Sequence, residues 1–199
     1  MSGCYKKTRG CGGGGDANAC QTLNKVFKHY EKHCREQAEE DWNYFENLET
    51  LEECIRRAPK GLREKNGKEI CHSHQYRIPK QAAEKLSSGL AAKQTDLRQA
   101  DNFSEIFRIV EDLGGEITGI GPLSIYDTAH RIGLCLKKKP EKVYLHAGTY
   151  QGACCFLDKQ KICPSKIVDR ECFPEEFRKY SAAHIENILC IYKNSKAFQ

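Results

Sequence analysis

Apolar residues in this chain recur three and four positions apart in one segment after another, which restricts the fold to packed helices. Leu23, Val26, Phe27, Tyr30 and Cys34 share one helix face. Tyr44, Leu48, Leu51 and Ile55 form the stripe of a second helix, beginning near Asp41 and ended by Pro59-Lys60-Gly61. Pro79 opens a third, running to about Ala100 with Ala83, Leu86, Leu90 and Leu97 inward and Gly89 as its point of interruption. Asn102 and Glu105 make a capping pair ahead of Phe103, Ile106, Phe107, Val110 and Leu113, and Gly114-Gly115 closes that helix. Ser124 caps a helix with Ile125, Ala129, Ile132 and Leu136 inward, stopped by Pro140. A short helix over 140–147 ends at Gly148, and the last begins near Ser181 with Ile185, Ile188, Leu189 and Tyr192 as its stripe. Residues 59–78 read as a basic connection with a turn at Lys65-Asn66-Gly67-Lys68, and 162–168 is the one extended stretch. The expected fold class is mainly α: a single multi-helix domain over 17–199 with little or no sheet, after a flexible Gly-rich N-terminus over 1–16.

Of the 199 residues, 39% are hydrophobic and 30% charged, enough apolar material for a core. No span approaches the roughly 20 apolar residues of a membrane helix. The stretch Leu113–Tyr126, whose one charge is Glu116, is broken by glycines and Pro122. Lys6 and Lys7 have no apolar run behind them, so a secretory signal is not expected. These features predict a soluble, cytoplasmic protein with no membrane partner. The net charge of +5 is modest but uneven. Residues 36–53 hold acids and no base, whereas 54–85 are mostly basic, giving local surface that can meet phosphate.

Twelve cysteines are many for such a chain. Disulfide-dense domains are short, secreted and core-poor, so the count points to a reducing compartment rather than a disulfide scaffold. Cys34, Cys54, Cys135 and Cys190 fall within helices, where a thiol behaves as a small hydrophobe, and Cys4, Cys11 and Cys20 lie in or beside the Gly-rich start. Cys71-His72-Ser73-His74 places two imidazoles two residues apart, on the same side of an extended segment, which makes His72 and His74 the metal candidates, with Zn²⁺ the ion that suits them. Cys154, Cys155, Cys163 and Cys172 have wider gaps than a C-x₂₋₄-C clasp, which leaves metal binding there open. Phosphate-loop, H-E-x-x-H and G-x-S-x-G motifs are absent, and no other cofactor is implied.

Gly119-Ile120-Gly121-Pro122, between two helices, allows backbone N–H groups to converge ahead of a helix N-terminus, an arrangement suited to a phosphate oxygen. It resembles a helix-hairpin-helix, whose Gly-hydrophobic-Gly turn grips nucleic-acid backbone without reading sequence. The resemblance makes Gly119 and Gly121 the phosphate-facing glycines and Ile120 the buried hydrophobe. Arg131, Lys137 and Lys138, with Lys139, follow as supporting cations. Asp127-Thr128 is similar to the catalytic Asp and Thr string of DNA glycosylases in that superfamily, which makes Asp127 the catalytic candidate. Here Asp127 is only six residues after Gly121, a first-turn position favoured by the helix dipole.

From His72 onward the chain resembles a family of uncharacterised bacterial cytoplasmic proteins. The carrying strings are His72-Ser73-His74-Gln75 with Arg77-Ile78-Pro79, Gly119-Ile120-Gly121 with Tyr126-Asp127-Thr128-Ala129, Pro140 through Thr149, and Ile188 through Lys193. The resemblance implies bacterial cytoplasm and brings no activity with it. Three functions follow from the residues. The leading one is a sequence-nonspecific module that binds nucleic-acid backbone. The second is a metal- or Asp127-assisted hydrolase of a nucleic-acid or nucleoside substrate. The third is a structural or partner-binding protein without ligand.

Overall fold

Side-chain caps fix where the helices begin. In the computed structural model, which describes residues 22–164 and 166–198 and only the backbone at Ser73 and His74, Thr22 accepts from Lys25 N–H and opens α1 (Leu23–His33). Asn102 accepts from Glu105 N–H and opens α6 (Phe103–Gly115), and Ser181 accepts from His184 N–H and opens α9 (Ala182–Tyr192). These three helices have the expected stripes, with Val26, Phe27, Tyr30, Ile106, Val110, Ile185, Ile188, Leu189 and Tyr192 buried. The protein is mainly α among the described residues, with only two two-stranded sheets. The expected flexible stretch over 1–16, and Cys4, Cys11 and Cys20, lie outside the described residues.

Four segments differ from the sequence expectation. The helix expected from Asp41 to Pro59 is two helices, α2 (Arg35–Glu46) and α3 (Leu51–Arg57), because Thr50 caps a new start by accepting from Glu53 N–H at 3.2 Å. The helix opened by Pro79 runs unbroken through Gly89, whose missing Cβ leaves room for Leu113. It breaks instead at Lys93, between α4 (Lys80–Ala92) and α5 (Gln94–Gln99). Pro122 rather than Ser124 starts α7 (Pro122–Cys135), with Gly121 as N-cap. Finally, 140–147 is not helical. Val143–Tyr144 forms β3, and the helix α8 (Ala147–Ala153) begins where one was expected to end.

The basic connection holds a hairpin of β1 (Arg63–Lys65) and β2 (Lys68–Ile70), turned by Asn66 and Gly67 at φ 53 and 68°. Strand β4 (Ile167–Val168) pairs antiparallel with β3, Val143 opposite Val168.

The described chain packs as two compact units. Unit one is contiguous, Glu40–Lys139, around Phe45, Leu86, Leu90, Leu97, Ile106 and Ile132. Unit two joins residues 22–39 to 140–198, with a core that includes Tyr30, Leu145, Phe177, Ile188 and Tyr192. Phe27 meets Phe177 edge-on at 5.1 Å, and Phe156 meets Phe198 at 4.7 Å, geometries that suit the ring quadrupoles. No helix among the described residues is long and apolar enough to cross a membrane.

Candidate functional site

Unit two gathers an imidazole, a carboxylate, a hydroxyl and a thiol at the meeting of α8 and α9. His146 is the N-cap of α8, in extended backbone at φ −79°, ψ 174°, directly after the short strand. Thr149 lies three residues on, in the first turn of α8. Glu186 and Cys190 are four apart on α9 and therefore on one face. Gly148 and Gly152, also four apart, present a face of α8 without Cβ atoms. A Cβ on Gly152 would run into the Leu189 backbone, and one on Gly148 would stand 2.9 Å from Cys190 Sγ. The two glycines thus let α8 sit against the α9 backbone, which brings Cys190 to the His146 end of the cluster.

His146 Nε2 is hydrogen-bonded to Glu186 Oε1. Thr149 Oγ1 donates to the same carboxylate oxygen at 2.8 Å and lies 2.8 Å from His146 Nε2. The donor atoms of His146, Glu186 and Cys190 all lie within 4.8 Å of one another. His146 is 4% exposed, Thr149 0% and Glu186 8%, while Cys190 is half-buried. Imidazole nitrogen, carboxylate oxygen and thiolate sulfur are the three ligand types a zinc-class ion accepts. The same atoms can also trade protons, because a carboxylate on one ring nitrogen orients the imidazole and fixes its tautomer.

Unit one brings several of the sequence candidates into a different cluster. Arg131 is buried rather than presented beside the hairpin turn. Its guanidinium donates to the Ala58 carbonyl and to Gln75 Oε1, both at 3.0 Å, and lies 3.9 Å from the Asp41 carboxylate. Gln75 Nε2 donates to Asp127 Oδ2, so Asp127 is tied into this network. Arg63 pairs with Asp41 at 2.8 Å, and His72 Nε2 stands 3.8 Å from the same carboxylate. Gly61, at φ +56°, passes so close that a Cβ there would lie 2.6 Å from His72 Cβ and 2.9 Å from the Arg131 guanidinium carbon. His72 and Asp127 thus belong to one polar network through Asp41, Arg131 and Gln75. His74 lies in a 3₁₀ turn, Ser73–Arg77, and its side chain is outside the described part. His130 stacks on Tyr126 at 5.8 Å and meets Trp42 edge-on at 5.2 Å.

The remaining cations of the expected phosphate site also have partners. Lys137 and Lys139 pair with Glu46 at 3.6 and 3.0 Å, and Lys138 donates to the Ala100 carbonyl. Gly119 adopts φ +96° against Pro79 and Ala82, Ile120 is half-buried, and Gly121 has open space where a Cβ would go. Cys154 is half-buried, and Cys155, Cys163 and Cys172 are exposed thiols. Among the described residues, the His146 trio rather than that cysteine group meets within ligand range.

Glu186 and Cys190 were missed because a lone Glu on a helix reads as solvent-facing and a lone Cys as core filler. The available signal was their four-residue spacing together with His146 in the Tyr144–Thr149 string. Comparison of the chain with protein-family models, curated proteins and solved structures gives no match.

Proposed function

We propose that this protein binds a zinc-class divalent cation through His146 Nε2, a Glu186 carboxylate oxygen and Cys190 Sγ, with Thr149 as the outer hydrogen-bond partner. The observation that carries this reading is the meeting of those three donor atoms within 4.8 Å at a largely buried position. Charge supports it: a dication against one carboxylate and one thiolate is neutral, which removes the main cost of burying the acid. Binding moves the ring proton from Nε2, where it faces Glu186, to Nδ1, so that Nε2 can take the ion, and the Cys190 thiol gives up its proton. An ion held by His146, Glu186 and Cys190 would supply activation of a water for attack, so metal-assisted hydrolysis is the enzymatic form this reading takes. The nine described cysteines are free thiols, which supports a reducing, cytoplasmic setting.

Titration of the metal-free chain with Zn²⁺ against a chromogenic chelator tests this. One ion per chain is expected, with affinity falling at least about 100-fold in Glu186→Gln and Cys190→Ser and unchanged in His72→Gln. A folded wild-type chain that takes up no ion, or variants that bind as it does, overturns the reading.

A second reading, binding of nucleic-acid backbone, is favoured by the turn ahead of α7. Gly119 is left-handed, and Gly121 caps the helix with no side-chain hydrogen bond, so N–H groups at that helix start are available. Gly119 abuts Pro79, whose neighbour Lys80 is an exposed cation. A mobility-shift series at rising salt, with Gly121→Glu alongside, is expected to show salt-weakened binding that the variant loses. Absence of a shift at low salt removes it.

A further inference from the structure

Two thiols of unit one approach each other across α3 and α7. Cys54 is four residues after Thr50, and Cys135 is four after Arg131, so each pair shares a helix face. The contacts are reciprocal. Cys54 Sγ donates to the Arg131 carbonyl at 3.5 Å, and Cys135 Sγ lies 3.9 Å from the Thr50 carbonyl. The two side chains are near enough to perturb each other's protonation. Their surroundings differ: Cys54 is fully buried and Cys135 half-exposed.

We propose that Cys54 and Cys135 form a peroxide-oxidisable pair, Cys135 the attacking thiol and Cys54 the resolving one, which closes to a disulfide tying α3 to α7. The Cys135 thiolate attacks one oxygen of hydrogen peroxide, the O–O bond breaks, and the departing oxygen leaves as water, giving a sulfenic acid on Cys135. Cys54 then attacks that sulfur, the S–O bond breaks, and the hydroxide leaves with the Cys54 proton as a second water. Two thiols are oxidised by two electrons and one peroxide is reduced to two waters.

The electrostatics divide the roles the same way. The neighbouring Cys54 side chain, with help from Lys137 and Arg98, lowers the Cys135 thiol to about 7 against the opposing effect of its burial. The nearby Cys135 side chain and burial push Cys54 well up. A thiol near neutrality that solvent reaches, beside a protonated partner, is the arrangement of a redox-responsive pair.

Trypsin separates the two cysteines cleanly, because residues 36–56 contain only Cys54 and residues 132–137 only Cys135. The full-length chain is treated with one equivalent of hydrogen peroxide, blocked with an alkylating reagent and digested without reductant. Mass spectrometry is expected to show 36–56 joined to 132–137 with loss of two hydrogens, reversed by dithiothreitol. In Cys54→Ser, Cys135 is expected to be trapped instead as a sulfenic acid by dimedone. At pH 7, Cys135 of the untreated chain is expected to alkylate at least tenfold faster than Cys54. Linkage of Cys135 to a different cysteine overturns the proposal, as does its over-oxidation while Cys54 stays a free thiol.

Discussion

The two polar clusters of this protein are both buried and are put together on opposite principles. In unit one, Asp41 faces the cations Arg63 and Arg131, while Gln75 links Arg131 to Asp127. Charges of both signs sit beside one another there, and the result is a network that ties the hairpin and the 3₁₀ turn to α7. In unit two, ligand atoms of three different kinds, from His146, Glu186 and Cys190, lie within 4.8 Å of one another. The first cluster sets opposed charges against one another; the second brings together three kinds of metal-ligand atom.

Breaking unit one should have the largest effect. Arg131→Ala leaves Gln75, the Ala58 carbonyl and half of the Asp41 pairing unmatched, and is expected to cost about 3–5 kcal/mol, the scale for removing one member of a buried ionic network. Trp42, the only tryptophan and a unit-one residue, reports this in a urea titration followed by fluorescence. Zinc affinity is expected to stay within about twofold, and loss of both properties together would end the separation between the clusters.

Gly152→Ala comes next. Its methyl group meets the Leu189 backbone, which cannot swing aside as a side chain does, so a cost of about 1–3 kcal/mol is expected, the overpacking range. Hydrogen exchange should localise the loosening to α8 and α9, with weaker zinc binding as Cys190 moves away from His146. Unchanged exchange there would mean the close helix approach does not position the site.

The smallest effect is a pH dependence of unit two. Burial first, then the Arg35 guanidinium, lowers His184 below its ordinary value of 6.5, while Tyr30 Oη holds Nδ1 at 2.7 Å. The unfolded chain then binds a proton at a pH where the folded unit does not. This contribution is complete above 6.5 and is lost as pH falls from there through the lowered folded value. Thermal melts of His184→Gln are expected to lose part of the acid-side slope that the wild type shows; an identical slope would remove His184 as its source.

The sequence made some parts of this molecule legible and hid others for identifiable reasons. The starts of α1, α6 and α9 could be read because a capping side chain and an apolar stripe coincide there. The start of α8 was misread because Gly148 looks like a helix terminator, although its role is to let α9 come close. Asn66-Gly67 gave the turn but not the hairpin, whose strands are three residues each and mostly polar. Arg131 read as a surface cation, since no local pattern announces that Asp41, ninety residues earlier, lies beside it in the fold. The proposed zinc-class site needed tertiary structure for the same reason: forty residues separate His146 from Glu186, and neither carries a metal motif.

X-ray absorption at the zinc edge tests the central claim most directly. The account predicts, for the chain loaded with one equivalent of Zn²⁺, a single sulfur neighbour at about 2.3 Å and nitrogen or oxygen neighbours at about 2.0–2.2 Å. The sulfur shell should vanish in Cys190→Ser. A spectrum with several sulfur neighbours, or one unchanged by Cys190→Ser, would place the ion elsewhere and contradict it.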